Sequence, residues 1–321
     1  MGGGARGFRP EITAKMGESG VKERLFAALE SAGAVAAGVA RAVPTDEKEN
    51  ARIRQWISSG MHAGMVWMER HAVLRRDLNN VLPGTRSIIC AAFPYSPAES
   101  RASGLPYISR YAYGEDYHEA IRSRLRAILS EMDLDTVCRV CIDSAPVSER
   151  FWAIQSGIGY KGDNGSLIVP DYGPEIFLAE ILTTLELEPD TPNTSQCLHC
   201  GSCRRACPTG ALQLDGTVDC RRCISYLTIE HRGVWSDPEA EAAMSTPAGK
   251  NTLFGCDRCV TACPLRNGKK GLAPLPLILS LTPEDIPRTN AEFKSLFRHT
   301  ALLRPGLEGL KRNIANLDKN C

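Results

Sequence analysis

Apolar residues fall at helical spacing over Val21, Leu25, Phe26 and Leu29, which predicts an amphipathic helix from Val21 to about Ala32, with Gly33 placed to stop it. Residues 34–42 read as a buried strand or the tight start of a helix. A second helix covers about Glu47–Ser59 and ends at Gly60, and an apolar stripe at Met65–Met68 follows, broken by Arg70 and His71. After Pro83 and Gly84 a continuous apolar run to Pro94 predicts a buried strand. A helix at about His118–Met132 leads into the β-rich stretch Thr136–Asp143. Ser144, Pro146 and Glu149 then carry the capping chemistry of a further helix that ends at Gly157.

Leu167–Pro170 and Ile176–Leu185 read as a strand pair around Pro170-Asp-Tyr-Gly, and Arg221–Gly233 as a helix with charges at both ends. The acidic, Pro- and Thr-rich segment Glu188–Ser195 has linker character. Residues 1–18 are Gly-rich and unpatterned and read as a flexible leader. The last fifty residues contain two amphipathic basic segments, at Phe293–Leu302 and Gly309–Ile314.

Composition is that of an ordinary globule, 43% hydrophobic with a net charge of +1. No apolar run approaches the ~18 residues of a membrane span. The opening residues lack the apolar core of a secretion signal, and no twin-Arg signal occurs. The expectation is a cytoplasmic protein, away from membranes. Charge is uneven, however: from residue 250 onward twelve Lys/Arg face six Asp/Glu. Such an excess is usually a solvated face, but it permits an RNA partner.

The thirteen cysteines change the picture most. Cys197, Cys200, Cys203 and Cys207, followed by Pro208, stand in the Cys-x2-Cys-x2-Cys-x3-Cys-Pro spacing of two-cluster ferredoxins, in which the fourth cysteine ligates the other [4Fe–4S] cube. Cys256, Cys259 and Cys263-Pro264 form a second, shorter motif. Crosswise ligation predicts Cys197, Cys200, Cys203 and Cys263 on one cluster, and Cys207, Cys256 and Cys259 on the other. The second set is one thiolate short, and either Cys220 or Cys223 must complete it. Zinc also favours Cys-x2-Cys pairs, but a zinc ribbon needs four ligands rather than eight with repeated Cys-Pro ends. Cys90, Cys138, Cys141 and Cys321 are left over, the first two reading as core thiols.

Two further stretches carry candidate chemistry. Tyr107–His118 crowds four tyrosines, an Arg and a His ahead of a helix, which is either core packing or a wall for a flat polar cofactor. Asp143 ends a β-rich run, where α/β sheets keep their ligands, and its plain alternative is to cap the following helix. Gly157–Ser166 is a Gly-rich loop without the signature of a phosphate loop.

With these motifs together, Leu82-Pro-Gly-Thr-Arg-Ser-Ile-Ile, Ile108-Ser-Arg-Tyr-Ala-Tyr-Gly-Glu-Asp-Tyr-His, Ile142-Asp-Ser-Ala-Pro-Val-Ser-Glu-Arg, Arg222-Cys-Ile-Ser-Tyr-Leu-Thr-Ile-Glu-His-Arg-Gly and Leu310-Lys-Arg-Asn-Ile, the chain from about Trp56 onward resembles the epoxyqueuosine reductases. The resemblance implies an α/β, nitroreductase-like domain holding base-off cobalamin, joined to a ferredoxin-like domain with two [4Fe–4S] clusters. It implies boundaries at 1–18 for the leader, 19–190 for the catalytic domain, 191–272 for the cluster domain and 273–321 for a basic helical tail. The implied activity is reduction of epoxyqueuosine to queuosine at the wobble position of tRNA; the expected enzyme is a monomer fed by an unidentified electron donor.

By the same resemblance Asp143 is the proton donor, with a pKa raised by desolvation so that it holds a proton at neutral pH. Cobalamin contacts carry over to Arg70, Arg110, Tyr111, Asp143, Asn164, Leu167, Ser225 and Asp257, and tRNA contacts to Arg150, His231 and Arg232. The missing thiolate is assigned to Cys223. Three departures stand against the family pattern: Gly162-Asp-Asn where Gly-Lys-Asn is usual, a longer loop at Pro170–Pro174, and an end soon after Leu310-Lys-Arg-Asn-Ile, so that the two domains themselves would grip the RNA. The alternatives are a cobalamin iron–sulfur reductase of another substrate, such as a reductive dehalogenase, or a ferredoxin-type electron carrier.

Overall fold

The computed structural model describes residues 18–268 and 270–318. The leader expected at the N-terminus and Cys321 lie outside the described residues, save that Glu18 already belongs to the first helix.

A four-stranded sheet forms the centre of the first half. Its strands are β1 (Ala36–Arg41), β2 (Ser87–Pro94), β3 (Cys138–Cys141) and β4 (Ile176–Thr183), in the order β1-β2-β4-β3, and every neighbour is antiparallel. β2 and β4 are buried along almost their whole length because both faces are covered. Alternation sends Ile89, Ala91 and Phe93 to one face, against Leu25 and Leu29 of α1 (Glu18–Ser31) and Leu125 of α2 (Tyr117–Met132). Ile88, Cys90 and Ala92 go to the other, under Trp152 and Ala153 of α3 (Glu149–Gln155). Gly38 lets the end of α3 sit on β1, since a Cβ there would lie 1.9 Å from the Ser156 carbonyl oxygen.

The strand pair expected around Pro170 does not form. Leu167–Ile168 pairs with Tyr160–Lys161, whereas β4 takes the centre of the main sheet between β2 and β3. The apolar run of β4 finds two-sided burial there, which a hairpin could not supply. The helix expected over 221–233 shrinks to α4 (Ile224–Ile229), preceded by a 3-10 turn at Cys220–Arg222.

The second half is knitted into the first. Tyr107–Ile108 pairs in parallel with Thr252–Phe254, and the Trp56 indole donates to the Val218 carbonyl at 2.8 Å. Glu175, 2% exposed, accepts from Arg110 at 2.9 Å and forms an ion pair with Arg266 at 2.7 Å, tying the sheet domain to the cysteine-rich segment. The C-terminal segment is no appendage. Phe293, Phe297, Leu302 and Leu310 are buried against Ile108, Tyr113 and Phe254. On α5 (Gly306–Ala315), fully buried Asn313 donates to the carbonyls of Thr228 and Leu253, both at 2.9 Å. The first residues of the linker are also fixed, with Asp190 accepting from Lys22 and from the Val39 amide.

Candidate active site and cluster module

Asp143 stands two residues beyond β3 in a left-handed conformation, φ +53°. A non-glycine residue is rare in that region and is held there by its partners. Its amide donates to Glu149 Oε1 at 2.6 Å, at the first turn of α3. Its Oδ2 accepts from the Tyr117 hydroxyl at 2.7 Å and lies 3.2 Å from His118 Nε2. His118 Nδ1 reaches Asp116 Oδ1 at 2.7 Å, giving an Asp116–His118–Asp143 chain. Tyr117 is fixed by stacking on Phe177, with centroids 4.2 Å apart and planes within 5°. The carboxylate does not cap α3: the residue before that helix is Ser148, and Glu149 instead reaches back to Asp143.

The electrostatics reverse one expectation. Burial alone would raise the Asp143 carboxyl, but hydrogen bonds from His118 and Tyr117, with the charges of His118 and Arg304, hold it below the usual carboxylate range. His118 moves the other way. Burial would lower it, yet Asp116 and Asp143 raise it to about 9. At neutral pH the proton of the pair therefore rests on His118, and Asp143 is anionic.

Asp143 opens onto a cavity of about 620 Å³. Tyr117, Phe177, Trp56, Met65 and Met68 give it apolar walls, while Arg52, Arg75 and Arg150 bring positive charge. Arg75 Nη1 is buried without a partner among the described residues. Such a wall suits a large flat ligand with polar edges.

Of the residues expected to hold a cofactor, Asp143 and Leu167 line this cavity. Tyr111 packs its ring against Tyr117 and Phe177, one layer behind. Arg110 is spent on Glu175 and Ser96, and its amide donates to Asp257 Oδ2 at 2.8 Å. Asp257 is 4% exposed, its Oδ1 has no partner among the described residues, and burial pushes its carboxyl up to about 6. Asn164 is buried and reaches the Cys259 carbonyl at 3.5 Å. Ser225 is half-buried at the start of α4, and Arg70 is exposed at the end of the helix Val66–Arg70.

Among the expected RNA contacts, Arg150 lines the cavity while donating to the Gly165 carbonyl at 2.6 Å. His231 bonds to the Val234 carbonyl, and exposed Arg232 to the carbonyls of Ile229 and Arg304. Tyr117, His118, Glu149, Glu180 and Arg304 were given no catalytic role by sequence reasoning. A signal existed for Glu180, a lone charge inside the apolar run of β4.

The cysteines gather in two groups. Burial raises the Cys263 thiol, and Cys197 and Cys200 raise it further; Cys203 likewise feels Cys197. In the other group, burial lifts Cys223 to about 11, with Cys256 and Cys207 adding, and Cys259 is raised by burial and then by Cys223, Cys256 and Cys207. Cys220 feels Cys223 but no other cysteine, and its buried thiol points to the Val218 carbonyl. Thiols that crowd in this way ionise on binding metal, which removes their mutual penalty. Gly201, φ +71°, turns the first motif between Cys200 and Cys203. At Asp163, where the family pattern has Lys, the carboxylate meets His199 Nδ1 at 3.0 Å across the two halves.

Residues 75–144 match the family described as epoxyqueuosine reductase QueG, DUF1730, and residues 196–266 match a 4Fe-4S double cluster binding domain. The chain is 36% identical over 290 residues to an epoxyqueuosine reductase of Gloeobacter violaceus, covering 86% of this chain and 89% of that one. It is similar in structure to an epoxyqueuosine reductase crystallised with an epoxyqueuosine-modified tRNA-Tyr stem loop, with a TM-score of 0.82 and 28% identity over 94% of this chain and 81% of that one. A Bacillus subtilis epoxyqueuosine reductase, solved with its catalytic aspartate loop swung out of the active site, matches at a TM-score of 0.80 and 28% identity, covering 94% of this chain and 81% of that one. The fold is therefore the α/β domain of these enzymes joined to a two-cluster iron–sulfur module. None of the described helices is long and apolar enough to cross a membrane.

Proposed function

The chain belongs to the epoxyqueuosine reductase family, and we propose that its cleft removes the epoxide oxygen of epoxyqueuosine at the wobble position of tRNA, giving queuosine. The observation that carries this reading is the Asp143 carboxylate, aimed into a large apolar cavity and backed by a protonated His118.

The reaction consumes two electrons and two protons and releases water. As the carbon–oxygen bond opens, the oxygen becomes an alkoxide that leaves only if an acid protonates it. Asp143 is the group that touches that oxygen. Because its carboxyl is held ionised, the proton comes from His118 Nε2 through Asp143 Oδ2, and Asp116 stabilises the imidazolium while it waits. Tyr117 fixes the direction of Oδ2.

Cobalamin would suit the apolar walls and charged rim of this cavity. Asp143, Leu167 and the unpartnered Arg75 would contact it, and Tyr111, Arg110, Asn164, Ser225 and Asp257 would support that wall. Bound there, it supplies low-potential cobalt chemistry that no side chain provides. We assign Cys197, Cys200, Cys203 and Cys263 to one [4Fe–4S] cluster and Cys207, Cys223, Cys256 and Cys259 to the other, each passing one electron from an external donor. Arg150, which faces the cavity, and Arg304, stacked over Trp67 at 5.3 Å, are candidate RNA contacts.

The test is anaerobic reconstitution of the clusters with and without added cobalamin, followed by reduction and incubation with epoxyqueuosine-containing tRNA. Queuosine should form only with cobalamin, and cobalamin should bind in a stoichiometric complex. Formation of queuosine by corrinoid-free protein, or failure to bind corrinoid at all, would overturn this assignment.

A further inference from the structure

Beneath Asp143 lies a carboxyl pair, fully buried Glu180 and half-buried Glu149, whose protons the chemistry above does not use. Glu180, in the middle of β4, is 0% exposed, and neither of its oxygens meets a donor among the described residues. Strand alternation turns it to the face under α3, between Leu178 and Leu182, opposite Cys90 of β2 and Cys141 of β3. Its carboxyl lies beside that of Glu149, whose charge and proximity push it up after burial. Two carboxylates cannot hydrogen-bond to each other, and a buried charge without a partner is costly, so one proton must lie between them.

We infer that Glu180 and Glu149 form a positioning pair for the catalytic loop: the proton held on Glu180 leaves Glu149 ionised as the acceptor for the Asp143 amide, and so latches Asp143 into the cleft. Three observations converge on this. The Asp143–Glu149 bond is short, 2.6 Å. The residue it holds is in a left-handed conformation that needs an anchor. Ser144 and the two residues after it pack only lightly, Ser144 being exposed and Ala145 and Pro146 half-buried, so other restraints on the loop are few.

Several charged or titratable groups surround the pair. Glu149 faces Asp143 on its loop, Arg75 on the 3-10 turn Leu74–Arg76, Arg150 on its own helix, Tyr117 on α2, Cys141 on β3, and Cys90 on β2. Burial, with the charge of Asp143, lifts Glu149 to about 7, and burial with the charge of Glu149 raises Glu180 well above the ordinary glutamate value. Glu149 is thus ionised and the latch closed above about 7. Below it Glu149 gains a proton, becomes a weaker acceptor, and the loop loosens.

The inference rests on Asp143 being the acid, but its test does not. Amide hydrogen exchange of peptides spanning 142–148 is followed by mass spectrometry in cluster-loaded protein, about one pH unit either side of 7, as protection factors. Wild-type protection should fall on the acid side by about tenfold or more, the scale of weakening one hydrogen bond to a charged acceptor. Glu149→Leu should be unprotected at both pH values. In Glu180→Gln a neutral donor still faces Glu149, as in wild type, so the acid-side loss should persist. Glu149→Gln keeps an acceptor oxygen and should lose only the pH dependence. Equal protection in wild type and Glu149→Leu, or loss of the pH dependence in Glu180→Gln, would overturn the latch. Should Glu149→Leu fail to fold, the two Gln variants decide alone. A result supporting the latch with an active Asp143→Asn enzyme would fault the acid assignment and leave the latch standing.

Discussion

His118 Nε2 lies 3.2 Å from Asp143 Oδ2, and the opposite shifts of the two groups place their shared proton on the imidazole. In the proposed reaction the acid is thus a relay of two residues.

The alkaline side of the pH profile follows from it. His118 is raised from 6.5 to about 9, so it stays charged at neutral pH and loses its proton as pH rises through about 9. Turnover under saturating tRNA should fall across that interval. His118→Gln should lower kcat by about 10²-fold, the lower end for loss of acid–base assistance, with KM little changed and no step near pH 9. An unaltered alkaline limb in the variant would assign that limb to another group.

The cysteine grouping separates two neighbours. Cys223 shares its surroundings with Cys207, Cys256 and Cys259, whereas Cys220 does not. Iron analysis and low-temperature electron paramagnetic resonance of reconstituted Cys223→Ala should show loss or damage of one cluster. Cys220→Ala should keep both. The reverse pattern would exchange their roles.

Glu180 gives a stability signature. Its folded pKa lies well above the ordinary glutamate value, chiefly through burial, so between that value and its folded pKa the native chain holds a proton that the unfolded chain has lost. Stability must therefore fall as pH rises, by up to about 1.4 kcal/mol per unit from this group. Glu180→Gln removes the slope. Its Tm should exceed that of wild type increasingly as pH rises above the ordinary glutamate value, and parallel Tm curves would show that Glu180 is ionised when folded.

Asn313 tests the C-terminal packing. Its amide satisfies the carbonyls of Thr228 and Leu253 in a fully buried site. Asn313→Ala should cost about 1–3 kcal/mol in urea unfolding, the range for leaving a buried polar group unpaired. A change within a few tenths of a kcal/mol would mean that the segment 306–315 is not integral to the fold.

Much of the fold was legible in the chain. The first helix, the strand to Pro94 and the helix ending at Met132 follow from local periodicity, and the structure has them at Glu18–Ser31, Ser87–Pro94 and Tyr117–Met132. Which strands pair was not legible, because β4 joins β2 across about ninety residues and no local pattern specifies that partner. The same limit hid the site. Asp143 was visible at the end of a β-rich run, but its charge state depends on His118, Tyr117 and Arg304, brought to it from two other segments. Desolvation taken alone gives the wrong direction there. The Leu310-Lys-Arg-Asn-Ile string was recognisable before its cause was, since Asn313 bridges two elements remote in sequence.

The most direct test of the central claim is mass spectrometry of nucleosides digested from an epoxyqueuosine-containing anticodon stem loop, after incubation with reduced, cobalamin-loaded wild type and Asp143→Asn. Both proteins should carry equal iron and corrinoid. Wild type should convert epoxyqueuosine to queuosine, and Asp143→Asn should be slower by about 10²–10⁴-fold, the range for removing a positioned acid. Conversion by the two at comparable rates would contradict the assignment of Asp143 as the residue that protonates the epoxide oxygen.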